Sequence, residues 1–202
     1  MFYGTRWFYK ILYFLTSMSP AYILFLLQID DKFKSHLNKE IEFGDFLIKL
    51  DIYWWCGLLL LFLILLGFLL RALIINQYIK ASTDQVLPPK KEYFEENKLE
   101  ERNGNVISFL LGTVIPAVLI IESDIKIAVA VFVVIQILIY ILIMKSTDIF
   151  PNVLLIIFGI SLCKTQHNDY VFTFKSDKYQ DLKVYKIGDP EKSKIHITMY
   201  KK

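Results

Sequence analysis

The sequence predicts an all-α polytopic membrane protein with four transmembrane helices, a short interfacial helix and a small cytoplasmic β-rich C-terminal tail. Three observations lead to this class. The chain of 202 residues is 55% hydrophobic and has a mean hydropathy of +0.44. Its apolar residues stand in long blocks, which is typical of membrane helices. From Tyr170 onward the pattern changes to short alternating runs that favour strands.

Four apolar segments are long enough to span a membrane, because a helix of about 20 apolar residues crosses a hydrocarbon core of about 30 Å. They cover residues 11–29, 52–70, 104–121 and 125–144. No small-residue cleavage site follows the first segment, so we expect a retained signal anchor rather than a cleaved signal peptide. Together the four segments predict a transmembrane domain over residues 1–148.

Three charged side chains, Glu122, Asp124 and Lys126, separate the third apolar segment from the fourth. So short a connection cannot leave its backbone polar groups bare in lipid, so it must emerge at one membrane surface. We therefore predict a tight outer hairpin, with the long stem of Lys126 reaching back to that surface. An intramembrane ion or proton site built on Glu122 is the alternative.

Lysine and arginine are unevenly distributed between the two sides of the four-span arrangement, and the richer side is expected to be cytoplasmic. With four spans, both termini share that side. The sequence therefore predicts a multi-pass protein with both termini in the cytoplasm. The inner side carries ten basic residues and the outer side five: Arg6, Lys10, Arg71, Lys80, Lys90, Lys91, Lys98, Arg102, Lys145 and Lys164 against Lys32, Lys34, Lys39, Lys49 and Lys126.

Residues 149–163 form a further apolar segment directly after the fourth span. A helix of this length is about 22 Å long, which is short for a crossing. We predict an interfacial or re-entrant helix, with Thr147 or Asp148 as N-cap and Pro151 in the first turn. A fifth span is the alternative, although it would carry a lysine-rich tail to the outside, against the charge asymmetry.

Two cytoplasmic segments remain. The charged stretch EYFEENKLEERN within residues 76–105 predicts a solvated helix that continues into the third span. Residues 164–202 predict a β-rich tail of about three strands, which is marginally stable alone in water. Adhesion of the tail to anionic lipid through its basic residues is one expectation. The one we favour is docking of a cytoplasmic partner through apolar positions in alternating register: Val184, Ile187, Ile195, Ile197 and Met199.

No pattern in the sequence indicates catalysis. The histidines His36, His167 and His196 are scattered, and no zinc-binding, phosphate-binding or nucleophile motif is present. Cys56 and Cys163 have no local spacing motif. We therefore expect a protein that is not an enzyme and that uses no catalytic residues, cofactor or metal. The net charge of +3 is too small to indicate direct nucleic-acid binding.

The clearest signal inside the spans is a stripe of small residues. Gly104, Ser108, Gly112 and Pro116 lie four residues apart, which lets another helix approach closely. Ordinary packing within the chain is one interpretation of the stripe, and a subunit interface or a flexing element is the other. Gln136, near the centre of the fourth span, is expected to form an interhelical hydrogen bond.

Two apolar motifs resemble segments of a known family. The run NVISFLLGTVIP, residues 105–116, resembles an N-x-x-x-[FY]-L-x-x-T-x-I-P pattern in KwaA, the membrane subunit of the Kiwa anti-phage defence system. The run NVLLIIFG, residues 152–159, is similar to an N-P-L-L-x-x-x-G pattern, with Val153 in place of the proline. The resemblance implies a homo-oligomer in the bacterial inner membrane that senses phage attack at the envelope and works with a cytoplasmic partner, KwaB.

Two classes of function follow. The first is a non-enzymatic membrane sensor and scaffold, with a tight helix bundle and a tail that docks a partner. The second is a pore- or channel-forming effector. A conducting pore needs a polar lining, and the spans offer little beyond Ser108, Thr113 and Gln136. We therefore favour the sensor.

Overall fold

A computed structural model gives the fold of the chain. It describes residues 2–32, 39–43, 46–80, 94, 99–114, 124–177, 184–189 and 191–200.

The first apolar segment is broken into two helices. Helix α1 covers Trp7–Ser17 and α2 covers Ser19–Lys32, and the two helices are bent by 51° at Met18 between them. Pro20 has no N–H to donate to the carbonyl of Thr16, so the helical hydrogen-bond ladder is interrupted at this point. The single straight span predicted over residues 11–29 is therefore absent.

A small hairpin precedes the second apolar segment. Strand β1, Lys39–Phe43, pairs antiparallel with β2, Phe46–Leu50. Helix α3 then covers Ile52–Lys80. The most apolar window of 18 residues within Ile52–Ile79 has a mean hydropathy of 3.0, and this part of the helix is long enough to cross a membrane. The helix continues well beyond residue 70, where the sequence predicted its end.

The end of the charged stretch before the third apolar region is a strand where a solvated helix was predicted, and residues 81–93 and 95–98 lie outside the described residues. Strand β3 covers Leu99–Arg102. Asn103 and Gly104 follow with φ angles of 61° and 74°, and such left-handed residues interrupt regular structure. Helix α4, Val106–Phe109, begins after them and passes into a π-helix, Leu110–Val114. Residues 115–121 of the predicted third span lie outside the described residues.

The fourth predicted span is present as a helix. Helix α5 covers Ile125–Lys145, and its most apolar window of 18 residues has a mean hydropathy of 3.0. The carboxylate of Asp124 caps it by accepting a hydrogen bond from the Lys126 N–H at 2.7 Å. Like α3, this helix is long and apolar enough to cross a membrane.

The interfacial helix predicted over residues 149–163 is much shorter in the structure. Helix α6 covers only Val153–Ile157. Asn152 caps it, because its side-chain oxygen accepts a hydrogen bond from the Leu155 N–H at 3.1 Å. Gly159 adopts a φ of 76°, which ends the helix and turns the chain into a strand.

A mixed sheet of five strands, counted within the described residues, follows α6. Its order is β3-β4-β5-β7-β6, with β5 and β7 parallel and the other neighbours antiparallel. The tail pattern predicted three of these strands and missed β3 and β4. The last four strands are β4 over Ile160–Thr165, β5 over Tyr170–Lys175, β6 over Val184–Lys186 and β7 over Ile195–Tyr200.

One face of this sheet packs on helices of the same chain. Leu70, Ile74 and Tyr78 of α3 and Tyr13 of α1 share a buried cluster with the inward side chains of β4, β5 and β7. The rings of Tyr78 and Phe174 meet edge to face, with centroids 5.3 Å apart. The C-terminal part of α3 therefore supports the sheet, which explains why the helix is longer than a membrane span requires.

The predicted all-α fold with four transmembrane helices is therefore wrong. In the described part of the chain, two helices qualify as spans by length and composition, or three if the bent α1–α2 pair counts as one. The five-stranded sheet is a major part of the fold. The division into residues 1–148, 149–163 and 164–202 stays a prediction, but the sheet takes β3 from the first of these segments and most of β4 from the second.

Candidate functional site

The connection between α5 and α6 is the point where many of the described elements meet. We call its residues 149–152 the junction. Their side chains, which have the sequence Ile-Phe-Pro-Asn, are all buried. Loops normally lie on the surface because their backbone polar groups need partners. A buried loop must therefore be held by hydrogen bonds from its neighbours.

Helix α1 supplies those hydrogen bonds. The Tyr13 hydroxyl donates to the Phe150 carbonyl at 2.5 Å. The Asn152 amide nitrogen donates to the Tyr13 carbonyl at 3.1 Å and to the Thr16 hydroxyl oxygen at 2.7 Å. Because the Asn152 oxygen caps α6, this single amide connects α1 to α6.

Two glycines of the small-residue stripe contact the junction from another side. A Cβ atom at Gly104 would lie 2.2 Å from the carbonyl oxygen of Ile149, and one at Gly112 would lie 2.9 Å from the ring of Phe150. The Phe109 ring lies beside them, with its centroid 6.1 Å from that of Phe150. These contacts are made within one chain, in agreement with the first interpretation of the stripe.

The structure places the remaining residues of the stripe and of the hairpin elsewhere or does not describe them. Ser108 lies in α4, whereas Pro116 and Glu122 fall outside the described residues. Asp124 and Lys126 are exposed at the start of α5. The use of the stripe as an oligomer interface and the outer hairpin stay predictions.

Two polar side chains of the predicted spans, Gln136 and Thr113, are buried. Gln136 is buried in α5, and its amide has no hydrogen-bond partner among the described residues. Thr113 is also buried, and its hydroxyl donates to the Phe109 carbonyl. The interhelical hydrogen bond expected of Gln136 is therefore not seen in the described part of the chain.

The sheet contacts the residues just before the junction. The Tyr170 hydroxyl of β5 donates to the Thr147 carbonyl. Burial raises the pKa of the Glu101 carboxyl in β3; the Lys164 ammonium opposes this shift and the Asp148 carboxylate adds to it. Two strands of the sheet thus lie against the segment that leaves α5.

The tail positions predicted to dock a partner lie in the chain's own interior. Four of them face the helices, whereas Val184 lies on the other face of the sheet near Phe94. The prediction assumed that three strands could not bury them, but five strands and α3 do so. Docking of a partner through these positions stays a prediction, and it would require them to leave this buried environment. The exposed fractions run from 0% to 3% for Val184, Ile187, Ile195, Ile197 and Met199.

The face of the sheet away from the helices is partly covered by Phe94. This side chain packs with Cys163 and Val184, and its ring centroid lies 4.9 Å from that of His196. Both ring nitrogens of His196 are buried without a hydrogen-bond partner among the described residues. Burial lowers the pKa of His196, and the nearby Asp169 carboxylate opposes that shift. Burial therefore favours the neutral form of the imidazole over the charged form.

The chain matches one protein family over most of its length. The model of one family, described as "Anti-phage protein KwaA", matches residues 9–194. This range contains the junction and almost all of the described helices and strands. The chain belongs to the KwaA family.

Membership of the KwaA family confirms the resemblance found in the sequence and supports a role in anti-phage defence. Searches of curated proteins and of solved structures give no match. The two long apolar helices are compatible with a membrane location for this family member.

Sequence reasoning missed the junction, although part of its signal was visible. Both motifs that resemble KwaA border it: Gly112 of the first motif contacts Phe150, and the second motif begins at Asn152. The role of Tyr13 had no such signal, because its spacing within α1 is that of any apolar helix residue.

Proposed function

We propose that this KwaA-family chain is a non-enzymatic integral membrane sensor and scaffold, which responds to phage attack at the bacterial envelope and acts with a cytoplasmic partner resembling KwaB. The observation that carries the proposal is the junction. One buried loop is hydrogen-bonded to α1, continues into α6 and packs against Gly104 and Gly112. The sheet lies against the segment directly before that loop.

The helices next to the junction have irregular geometry, which suits an element with two arrangements. The bend of 51° between α1 and α2 lies only two residues from Thr16, which accepts a hydrogen bond from Asn152. A π-helix over Leu110–Val114 contacts the junction through Gly112. Breaks and π-helical turns of this kind recur at functional sites. A change in either helix would alter the hydrogen bonds and contacts that hold the loop.

Basic residues are more numerous at the helix ends next to the sheet than at the opposite ends, with Arg6, Lys10, Arg71 and Lys145 against Lys32 and Lys126. This asymmetry supports a cytoplasmic position for the sheet and for both termini, in the bacterial inner membrane. There the partner pairs with an edge of the sheet. Among the described residues, β6 pairs only with β7 and β3 only with β4. Edge strands accept an added strand from another chain.

Exposed apolar side chains of α3 and α5 face lipid and further copies of the chain, and Leu61 and Val134 are examples.

The substitution Asn152→Ala tests the proposal. It removes both donors to α1 and the cap of α6 from a buried position, which costs about 1–3 kcal/mol. We expect the variant to reach the membrane fraction at the normal level but to lose protection against phage. The measurement is phage plating efficiency on cells that carry the variant together with its genomic neighbours, with membrane-fraction immunoblots alongside.

Asn105→Ala is the matched control. Asn105 also caps a helix, accepting a hydrogen bond from the Ile107 N–H at 2.8 Å, but it is exposed and lies outside the junction. Its loss should leave protection nearly intact. Normal protection by Asn152→Ala, or an equal loss in both variants, would contradict the proposed role of the junction.

A further inference from the structure

A cavity of about 330 Å³ opens where β3, β4, β5 and β7 lie beside α6. Two of its lining residues are cationic, Arg102 and Lys175, and none of the described lining residues is acidic. Ser161 and Thr173 lie between the two cations, paired across β4 and β5. Lys175 is paired with Tyr200 on the next strand. The sheet register thus places two positive charges around hydroxyl groups in one concavity.

Hydrogen bonds that the lining residues already make limit which of their hydroxyl groups can donate to a ligand. The Ser161 oxygen accepts from the Asn103 side-chain nitrogen at 3.3 Å, so the Ser161 hydroxyl keeps its own hydrogen to donate. The Tyr200 hydroxyl already donates to the Phe94 carbonyl. The lining therefore carries a guanidinium with five N–H donors, an ammonium with three and the Ser161 hydroxyl, so an existing contact of either cation still leaves donors for a ligand.

We propose that this cavity binds a phosphate group, and that the phosphate is the headgroup of an anionic phospholipid. A guanidinium presents a fork of donors that matches phosphate oxygens, and an ammonium adds a compact second charge. A hydroxyl donor between them completes a set suited to a tetrahedral anion. The site is distinct from the junction and from the β6 edge of the sheet, whereas its Arg102 belongs to the other edge strand, β3.

The neighbourhood of the cavity favours a lipid as the source of the phosphate. Ile156 of α6 lines the cavity and is 40% exposed, and its neighbour Ile157 is 68% exposed. The next residue, Phe158, stacks on Phe68 of α3 with ring centroids 4.3 Å apart. An apolar surface therefore runs from the cavity onto α3, whose most apolar window of 18 residues has a mean hydropathy of 3.0. Acyl chains can lie on that surface while the headgroup occupies the cavity, an arrangement that rests on the proposed membrane location.

The test uses the purified full-length protein in a neutral detergent. The ligands are short-chain phosphatidylglycerol, short-chain phosphatidylcholine and glycerol phosphate, and the readout is the ligand-dependent rise in melting temperature. We expect phosphatidylglycerol to bind most tightly. The double variant Arg102→Gln/Lys175→Gln should bind it about tenfold more weakly for each charge removed. Both side chains are exposed, so the fold should be kept; Lys175→Gln alone replaces the double variant if that protein does not fold.

The matched control is Lys192→Gln/Lys194→Gln, which removes the same charge from exposed residues before β7 and should keep wild-type affinity. Unchanged affinity in Arg102→Gln/Lys175→Gln, or an equal loss in both double variants, would overturn the site. Glycerol phosphate binding as tightly as phosphatidylglycerol would overturn the lipid assignment and indicate a soluble phosphate ester. Because phage protection is not the readout, failure of this proposal is distinguishable from failure of the sensor proposal.

Discussion

Gly104→Ala is expected to lower the free energy of unfolding by at least about 2 kcal/mol and to abolish phage protection. Gly104 has a φ of 74°, which an alanine adopts only at a cost. The added Cβ would also lie 2.2 Å from the Ile149 carbonyl oxygen. That oxygen belongs to the backbone of the junction, so it cannot rotate away as a side chain could. Thermal unfolding in detergent measures the loss.

Gly57→Ala is the control for this substitution. Gly57 lies inside α3, and no atom lies within 4 Å of a Cβ built there. Alanine has the higher helix propensity, so this variant should melt at or slightly above the wild-type temperature. A wild-type melting temperature for Gly104→Ala would show that the contact between Gly104 and the junction is not tight in solution.

Deletion of residues 170–202 is expected to remove the folded core of the protein rather than a detachable tail. The truncation eliminates β5, β6 and β7, three of the five strands of the larger sheet as described. It uncovers Leu70, Ile74 and Tyr78 of α3, which are buried in the complete chain. Each uncovered side chain of this size costs about 1.5–3 kcal/mol. We expect aggregation in detergent, together with rapid proteolysis near the end of α3.

Removal of residues 201–202 alone serves as the control, because the described part of β7 stays complete. Size-exclusion profiles and limited proteolysis of the two truncated proteins make the comparison. A monodisperse protein without residues 170–202 that melts at the wild-type temperature would show that the sheet and the helices are independent units.

The features that the sequence predicted correctly are those carried by local composition. Helices α3 and α5 follow from unbroken apolar runs, and the strands β5, β6 and β7 follow from alternation after Tyr170. The break between α1 and α2 had a local cause in Pro20, but the hydropathy of residues 11–29 concealed it. Hydropathy summed over about 20 residues does not change when a single backbone hydrogen bond is missing.

The features that were missed depend on pairing between distant segments. The residues of β3 are mostly charged, and the sequence predicted them as part of a helix. They form a strand because they pair with β4. Residues 160–163 were predicted as the end of an apolar helix, but Gly159 turns the chain and they form most of β4. Likewise, the spacing of small residues singled out Gly104 and Gly112. No nearby sequence feature indicated that both residues contact the junction. Such pairings are set by tertiary packing, which a single sequence does not display.

Hydrogen exchange of the strand amides measures directly how the helices are coupled to the sheet. The samples are the wild-type protein, Asn152→Ala and Asn105→Ala, each purified at full length in detergent. If the junction couples the two parts, Asn152→Ala accelerates exchange in β5 and β7 as well as in α1 and α6, whereas Asn105→Ala affects only α4 and its neighbours. Wild-type exchange rates in β5 and β7 of Asn152→Ala, with changes confined to α1 and α6, would contradict that coupling.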